Sequence, residues 1–246
     1  MEIERLSSYD LLSQKHWWLT SKYLLLLDLL KTQIPDGTKL DPLLDVGCSS
    51  GFFLKHLKAF SNIRYGIDKN PEILKIRNDT DAILKSADAK KIPFHDKMFS
   101  LITAIDVIEH IEDDTQSLKE FNRLLRPEGW LLLCVPAFML LFGKHDQLFG
   151  HYRRYCSKDL RSKLEACGFT IKKISYIQPL FFLPLLIKRK LFPIKNELLG
   201  DFSLPPKFLN TLLHYFILLE KYPLRYIDFP FGATLICLSQ KICSKS

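Results

Sequence analysis

The 246-residue chain is predicted to be an α/β protein with a mostly parallel sheet and helices on both faces, and three observations predict it. Strand-like apolar runs and helix-spaced segments alternate from 42 to 135, as crossover connections require. The run LLDVGCSSG at 43–51 leads straight into FFLKHL, so a strand ends in a glycine turn and opens a helix. Further on, FTIKKISYI alternates polar and apolar residues at period two, the mark of a strand with two different faces.

Taken in order, a helical region is expected over about 8–32, containing His16-Trp17-Trp18 and Lys22. The first strand runs to Asp45 and the turn follows at Gly47, Cys48, Ser49 and Gly51. Gly47 lets the backbone reverse tightly, Gly51 lets a ligand lie against the chain, and the new helix presents unpaired N–H groups. A nicotinamide or flavin fingerprint needs glycines at the first, third and sixth turn positions, which here are Gly47, Ser49 and Phe52. Two of the three are wrong, and a serine at the middle position fits if its dihedrals are negative.

The second strand, NIRYGID, ends at Asp68, about twenty residues past the turn, where a carboxylate can accept hydrogen bonds from ribose hydroxyls. The third, DAILKSAD, ends at Asp88; a fourth ends at Asp106. Each acid also has a plain structural reading: Asp45 capping the turn, Asp68 starting the helix that Pro71 opens, Asp88 sitting in a loop. A helix at 157–167, with Ser157 as cap and Cys167-Gly168 as its end, precedes FTIKKISYI.

The acidic-Gly-x-x-x-Gly turn, the acids at 68 and 88, the Pro-Phe turn in KKIPFHDKMF, the strand ending at Asp106 and RLLRPEGWLLLCVP together resemble the ordered motifs of class I S-adenosylmethionine-dependent methyltransferases. The likeness is firm over 43–136, and GATLICLSQK looks like that family's last strand. It implies a Rossmann-like, seven-stranded, mostly parallel sheet with an antiparallel last strand paired to FTIKKISYI. It implies S-adenosylmethionine as cofactor and S-adenosylhomocysteine as product. By the same likeness the cofactor is held by Asp45, Gly47, Cys48, Ser49 and Gly51, by Asp68 and Lys69 at the ribose, and by Asp88 and Ala89 at the adenine. Asp106 lies near its methionine end, and Trp18 sits in an N-terminal lid over 1–40. The expected core is 41–178 with 231–242, interrupted by an insertion at 179–230 too long for a hairpin loop.

The acceptor side is expected in PAFMLLFGKHDQLFGHYRRYCSKDL. His145 and His151 are candidate bases, and Arg153, Arg154 and Tyr155 candidate acceptor contacts for a phosphate or carboxylate. A similar His-Tyr-Arg-Arg-Tyr run occurs in methyltransferases of polysaccharide, lipid-glycan and quinone biosynthesis. No metal is expected, because Glu109 and His110 are adjacent and no third ligand lies at a useful spacing. The six cysteines show no metal-ligand spacing and read as reduced thiols.

Residues 1–150 hold 19 Lys and Arg against 21 Asp and Glu, and residues 151–246 hold 16 against 6, so the net +8 resides in the C-terminal part. The insertion holds QPLFFLPLLIKRKLFP and FLNTLLHYFILLEKYPLRY, each too short to cross a bilayer. Apolar segments beside a basic cluster fit a helical cap on the sheet or a membrane interface. The polar N-terminus is not that of a secretory leader, so a cytoplasmic chain with peripheral contact to anionic membrane is expected. The leading reading is O-methylation of an anionic or lipid-linked small molecule, such as a glycolipid, polyprenyl-linked sugar or quinone precursor. RNA methylation, with no RNA-binding module in view, and a non-catalytic cofactor-binding scaffold stand as alternatives. The oligomeric state and the methyl acceptor stay open at this stage.

Overall fold

The computed structural model describes residues 11–243 apart from 13, 77–80 and 193–203. Helix α1 (Trp17–Gln33) comes first, and the start of the helix expected over 8–32 lies outside the described residues. His16 caps α1, its Nδ1 accepting from the backbone N–H of Trp18 at 3.2 Å.

Strands β1 (Leu43–Val46), β2 (Arg64–Asp68), β3 (Ile83–Ser86), β4 (Phe99–Ile105), β5 (Leu125–Pro136), β6 (Phe169–Ile177) and β7 (Thr234–Lys241) form one sheet in the order β3-β2-β1-β4-β5-β7-β6. The first five pair in parallel, and β7 runs antiparallel to β5 and β6. This is the seven-stranded, mostly parallel arrangement predicted. Crossovers are α2 (Phe52–His56), α3 (Pro71–Lys75), α4 (Asp114–Leu124) and α6 (Ser157–Ala166), with the short α5 (Lys144–Leu148) in the loop after β5.

Alternate residues of the strands feed two cores, one on each side of the sheet. Leu44, Ile102, Leu131 and Leu133 pack with Leu118 and Phe121 of α4. Leu43, Leu101, Leu132 and Cys134 pack with Leu25, Leu26, Leu29 and Leu30 of α1. Burial on both faces explains the nearly continuous apolar runs of β4 and β5.

Three local expectations are corrected. Asn70, not Asp68, caps α3 through its side-chain oxygen, and Cys156 rather than Ser157 occupies the cap position of α6. Strand β3 ends at Ser86, leaving Asp88 in the following loop, where its side chain accepts from the Lys90 N–H at 2.9 Å.

The insertion contributes α7 (Pro179–Leu191), α8 (Lys207–Leu218) and α9 (Lys221–Leu224). Helix α8 docks on α1 by polar contacts: the Trp17 N–H donates to Asn210 at 3.1 Å, and the Thr20 hydroxyl lies 3.0 Å from His214 Nδ1. Trp17 and Trp18 both meet the ring of Phe181 on α7, with centroids 4.9 and 5.9 Å away. The N-terminal helix and the insertion therefore make a single cover over the carboxyl ends of β1, β2 and β4. No described helix is long and apolar enough to cross a membrane.

Candidate active site

The strand order reverses beside β1, where parallel sheets open a crevice at their carboxyl ends. A cavity of about 1120 Å³ occupies this position. Pockets for one drug-sized ligand span roughly 300–1,000 Å³, so the space suits a cofactor and a second molecule together.

The glycine turn forms its floor. Gly47 has φ +68°, and a Cβ there would lie 2.4 Å from a methyl of Val107, so both backbone angle and close approach demand glycine. Gly51 stands at φ +87° as α2 begins. Ser49 has φ +50°, which corrects the expectation of negative dihedrals: it occupies the left-handed region without glycine's freedom, at a cost of roughly 1–2 kcal/mol. Asp68 offsets part of that cost by binding the turn from the neighbouring strand. Its Oδ2 accepts from the Ser49 N–H at 3.0 Å and its Oδ1 from the Asn70 N–H at 2.9 Å. Burial raises the Asp68 pKa despite these bonds.

Gly47, Ser49, Asp68, Lys69, Asp88 and Ala89 all line the cavity, as do Asp106 and Trp18 farther along. Asp45 and Cys48 stand behind the turn instead. Asp45 is buried and accepts from the Thr103 hydroxyl at 2.6 Å, and burial pushes its pKa up to about 7. Asp106 forms an ion pair with Lys22, which α1 brings down onto the end of β4.

At the far end the loop after β5 builds a charged knot around Asp146, which is fully buried. Its Oδ1 lies 2.9 Å from His151 Nδ1 and 2.8 Å from an Arg154 guanidinium nitrogen, while Arg189 of α7 reaches its Oδ2 at 3.0 Å. Burial opposes the charge, but the His151 hydrogen bond and the two guanidinium groups outweigh it and hold the carboxyl well below its usual range. His151 is thus oriented by Asp146, leaving its second ring nitrogen for other partners. His145 lies nearby, its ring centroid 6.4 Å from that of His151. Both histidines and Arg154 line the cavity.

Arg153 and Tyr155 do not line it, which corrects their expected place at the acceptor. Arg153 points to the Glu112 carbonyl and Asp114, and the buried Tyr155 hydroxyl donates to Asp114 at 2.7 Å. Alternate residues of this extended segment face opposite ways, so Arg154 turns to the cavity while Arg153 and the core residue Tyr155 turn away from it.

Sequence reasoning passed over Glu109, Asp146, Lys188 and Arg189 as site residues. Glu109 is fully buried and lines the cavity, and among the described residues neither carboxylate oxygen has a hydrogen-bond partner. Burial, reinforced by nearby Asp106, raises its pKa well above the ordinary value. His110 is neutral at physiological pH because burial lowers its pKa to about 4. The fold nevertheless brings to Glu109 and His110 a third candidate ligand that spacing in the sequence does not offer. One ligand atom each from Glu109, His110 and His151 lie within 4.8 Å of one another.

The floor suits S-adenosylmethionine chemically. Asp68 and Asp88 offer acceptors to hydroxyl and amino donors, Ile67, Ile73 and Val107 supply apolar surface for a flat base, and Asp106, paired with Lys22, lines the same cavity.

Residues 44–133 match the family model of a methyltransferase domain. The chain is 30% identical over 145 residues to an uncharacterized protein of Methanocaldococcus jannaschii, covering 59% of this chain and 60% of that one. It is 28% identical over 104 residues to demethylmenaquinone methyltransferase of Chlorobaculum tepidum, covering 41% and 43%. It thus spans about half the length of the curated relatives it matches. An S-adenosylmethionine-dependent methyltransferase structure from Thermotoga maritima superposes with a TM-score of 0.58 at 16% identity, covering 98% of both chains, which shows the shared fold. With the glycine turn, the acid at the end of β2 and the cavity between them in place, residues 44–133 are a class I methyltransferase domain and S-adenosylmethionine is its cofactor.

Proposed function

We propose that the chain transfers a methyl group to an oxygen of an anionic or lipid-linked small molecule at a membrane surface. The carrying observation is that one cavity joins the acidic glycine-turn floor to a basic, histidine-bearing end under an apolar roof. Phe181, Pro184 and Leu185 of α7 form part of the roof, with Lys188 and Arg189 at its edge.

When bound, S-adenosylmethionine supplies an electrophilic methyl group on a positively charged sulfur. Asp68 and Asp88 would hold its sugar and base, and Asp106 would be a neighbour of its methionine end. Arg154 and Arg189, already braced by Asp146, favour an anionic acceptor at the other end. His151, oriented by Asp146, or His145 beside it takes the hydroxyl proton as the oxygen loses it. Alignment of the two reactants and exclusion of water under α1 and α7 carry the remaining rate enhancement.

Membrane contact is supported by the outer surface of the roof. Leu180, Leu183, Ile187 and Leu191 recur along one face of α7 and are all exposed, Leu191 by 70%. On α8, Phe208, Leu212 and Tyr215, with Leu219 at its C-cap, do the same, Phe208 by 80%. Soluble surfaces seldom carry two such apolar stripes, and Lys188, Lys190 and Lys207 on the same helices attract anionic headgroups.

The test uses methyl-labelled S-adenosylmethionine with the purified protein and anionic vesicles carrying a quinol, a polyprenyl-linked sugar or a glycolipid. Label is expected in the lipid phase, and less of it for His151→Ala. Label entering only added RNA, or none entering any acceptor, would sink this reading. By calorimetry Asp68→Ala should weaken S-adenosylhomocysteine binding about 10- to 100-fold, from a lost charge-assisted bond of roughly 1.5–3 kcal/mol; equal affinity would place the cofactor elsewhere.

A further inference from the structure

Glu109 is the most anomalous side chain of the cavity. A fully buried carboxyl whose two oxygens find no hydrogen-bond partner on another described residue leaves a large desolvation cost unanswered. The neighbouring cations are committed elsewhere, Lys22 to Asp106 and Arg154 to Asp146. What faces Glu109 is two imidazoles, those of His110 from the turn after β4 and His151 from the loop after β5. Their rings meet edge to face with centroids 4.5 Å apart.

We propose that Glu109, His110 and His151 bind a divalent transition-metal ion at the acceptor end of the cavity. Three features carry this beyond mere proximity. One donor atom from each residue already lies within 4.8 Å of the others. Ligands at about 2.0–2.2 Å from a cation stand up to about 4.4 Å apart, so closure needs a shift of a few tenths of an ångström to about an ångström. The His151 Nδ1 is turned to Asp146 at 2.9 Å, which leaves Nε2 as the ligating atom and supplies the carboxylate behind the imidazole that metal-bound histidines usually have. Two nitrogens and one carboxylate, opening on a cavity large enough for a second molecule, are the donor set of sites that keep coordination positions free for substrate.

The charge balance indicates what occupies those positions. Glu109 and two neutral imidazoles leave a divalent ion with one net positive charge, beside Arg154 and Arg189 sharing the single Asp146 carboxylate. An acceptor with an anionic oxygen, such as a deprotonated phenol, carboxylate or phosphate, fits that field. This deepens the proposed function and rests on it for the acceptor's identity. With the ion bound, His151 is a ligand, and proton removal falls to the ion's acidifying effect and to His145.

The test is independent of methyl transfer. Chelator-treated protein is titrated by calorimetry with Zn²⁺ alone and Mn²⁺ alone, and by absorption with Co²⁺ alone. One ion per chain is expected, weakened at least tenfold in Glu109→Gln and in His110→Asn, and about 10- to 100-fold in Asp146→Asn, which loses the support behind His151. His56→Ala, outside the cluster, should bind as wild type. Circular dichroism melting identifies a variant that fails to fold, and His151→Gln then provides a second reading of the same cluster. If no ion binds, or the Glu109 and His110 variants bind as wild type, the inference is overturned. S-adenosylhomocysteine affinity measured on the same samples separates the two ideas: retained cofactor binding without metal leaves the proposed function standing, and retained metal without cofactor overturns that function alone.

Discussion

At the floor of the cavity, β1 is buried along its length, with Leu43 and Leu44 fully covered and the Ser49 and Asn70 N–H groups answered by one carboxylate. Along the roof, α7 has no buried residue at all and leaves Leu180, Leu183 and Leu191 in solvent. Both regions are rich in leucine, so composition does not separate them. The difference is whether the fold itself supplies the covering surface. For the floor it does, and the residues are there for stability and shape. For the roof no such cover is supplied among the described residues, and uncovered apolar area of this kind is what the proposed membrane contact would use.

The contrast can be broken by substitution, beginning at the floor. Gly47→Ala should destabilise the protein by roughly 2–4 kcal/mol, combining the strain of a left-handed alanine with overpacking against Val107. Denaturant unfolding would measure it, and a loss below about 0.5 kcal/mol would mean the turn is looser than it looks.

Asp45→Asn probes the same region through pH. Its folded-state pKa is raised from 3.8 to about 7, chiefly by burial, so the folded protein holds a proton there that the unfolded chain has released. Its contribution to stability is therefore fully present below about pH 4, declines as pH rises, and is exhausted above about 7. Asp45→Asn should flatten that decline, gaining on the order of 1–3 kcal/mol relative to wild type between pH 4.5 and 7.5. Asp68, Glu109 and Glu220 are raised likewise, so some slope persists. Parallel curves for the two proteins would show that Asp45 is not desolvated.

The roof should respond in the opposite way. Leu183→Ser, at a side chain 60% exposed, should change unfolding free energy by less than about 0.5 kcal/mol while reducing sedimentation with anionic vesicles. A large loss of stability would make α7 part of the core, and unchanged vesicle binding would remove the stripe from the membrane reading.

Much of the floor was legible beforehand because it is local. The strand-turn-helix at 43–56, the acid closing β2 and the order of β4 and β5 all follow from period and from residues that only certain backbones accept. Ser49 shows the limit of that reading: its identity suggested ordinary dihedrals, and the neighbouring strand's Asp68 holds it at positive φ instead. The far end of the cavity was legible only as a list of polar residues. His151 and Arg154 were foreseen, but Arg153 and Tyr155 turned away to Asp114, and the partners that organise the site, Asp146 and Arg189, come from a loop and a distant helix.

What the sequence determined by itself was the alternation of strands and helices and the glycine-turn socket at the end of β1, because hydrophobic period and glycine placement act within a few residues; the seven-stranded, mostly parallel sheet was what the family resemblance implied. The tertiary structure alone decided how Glu109, His110 and His151 come together and how the insertion closes over them. Those contacts join residues far apart in the chain, and which of their side chains meet depends on how the cover packs rather than on any local preference.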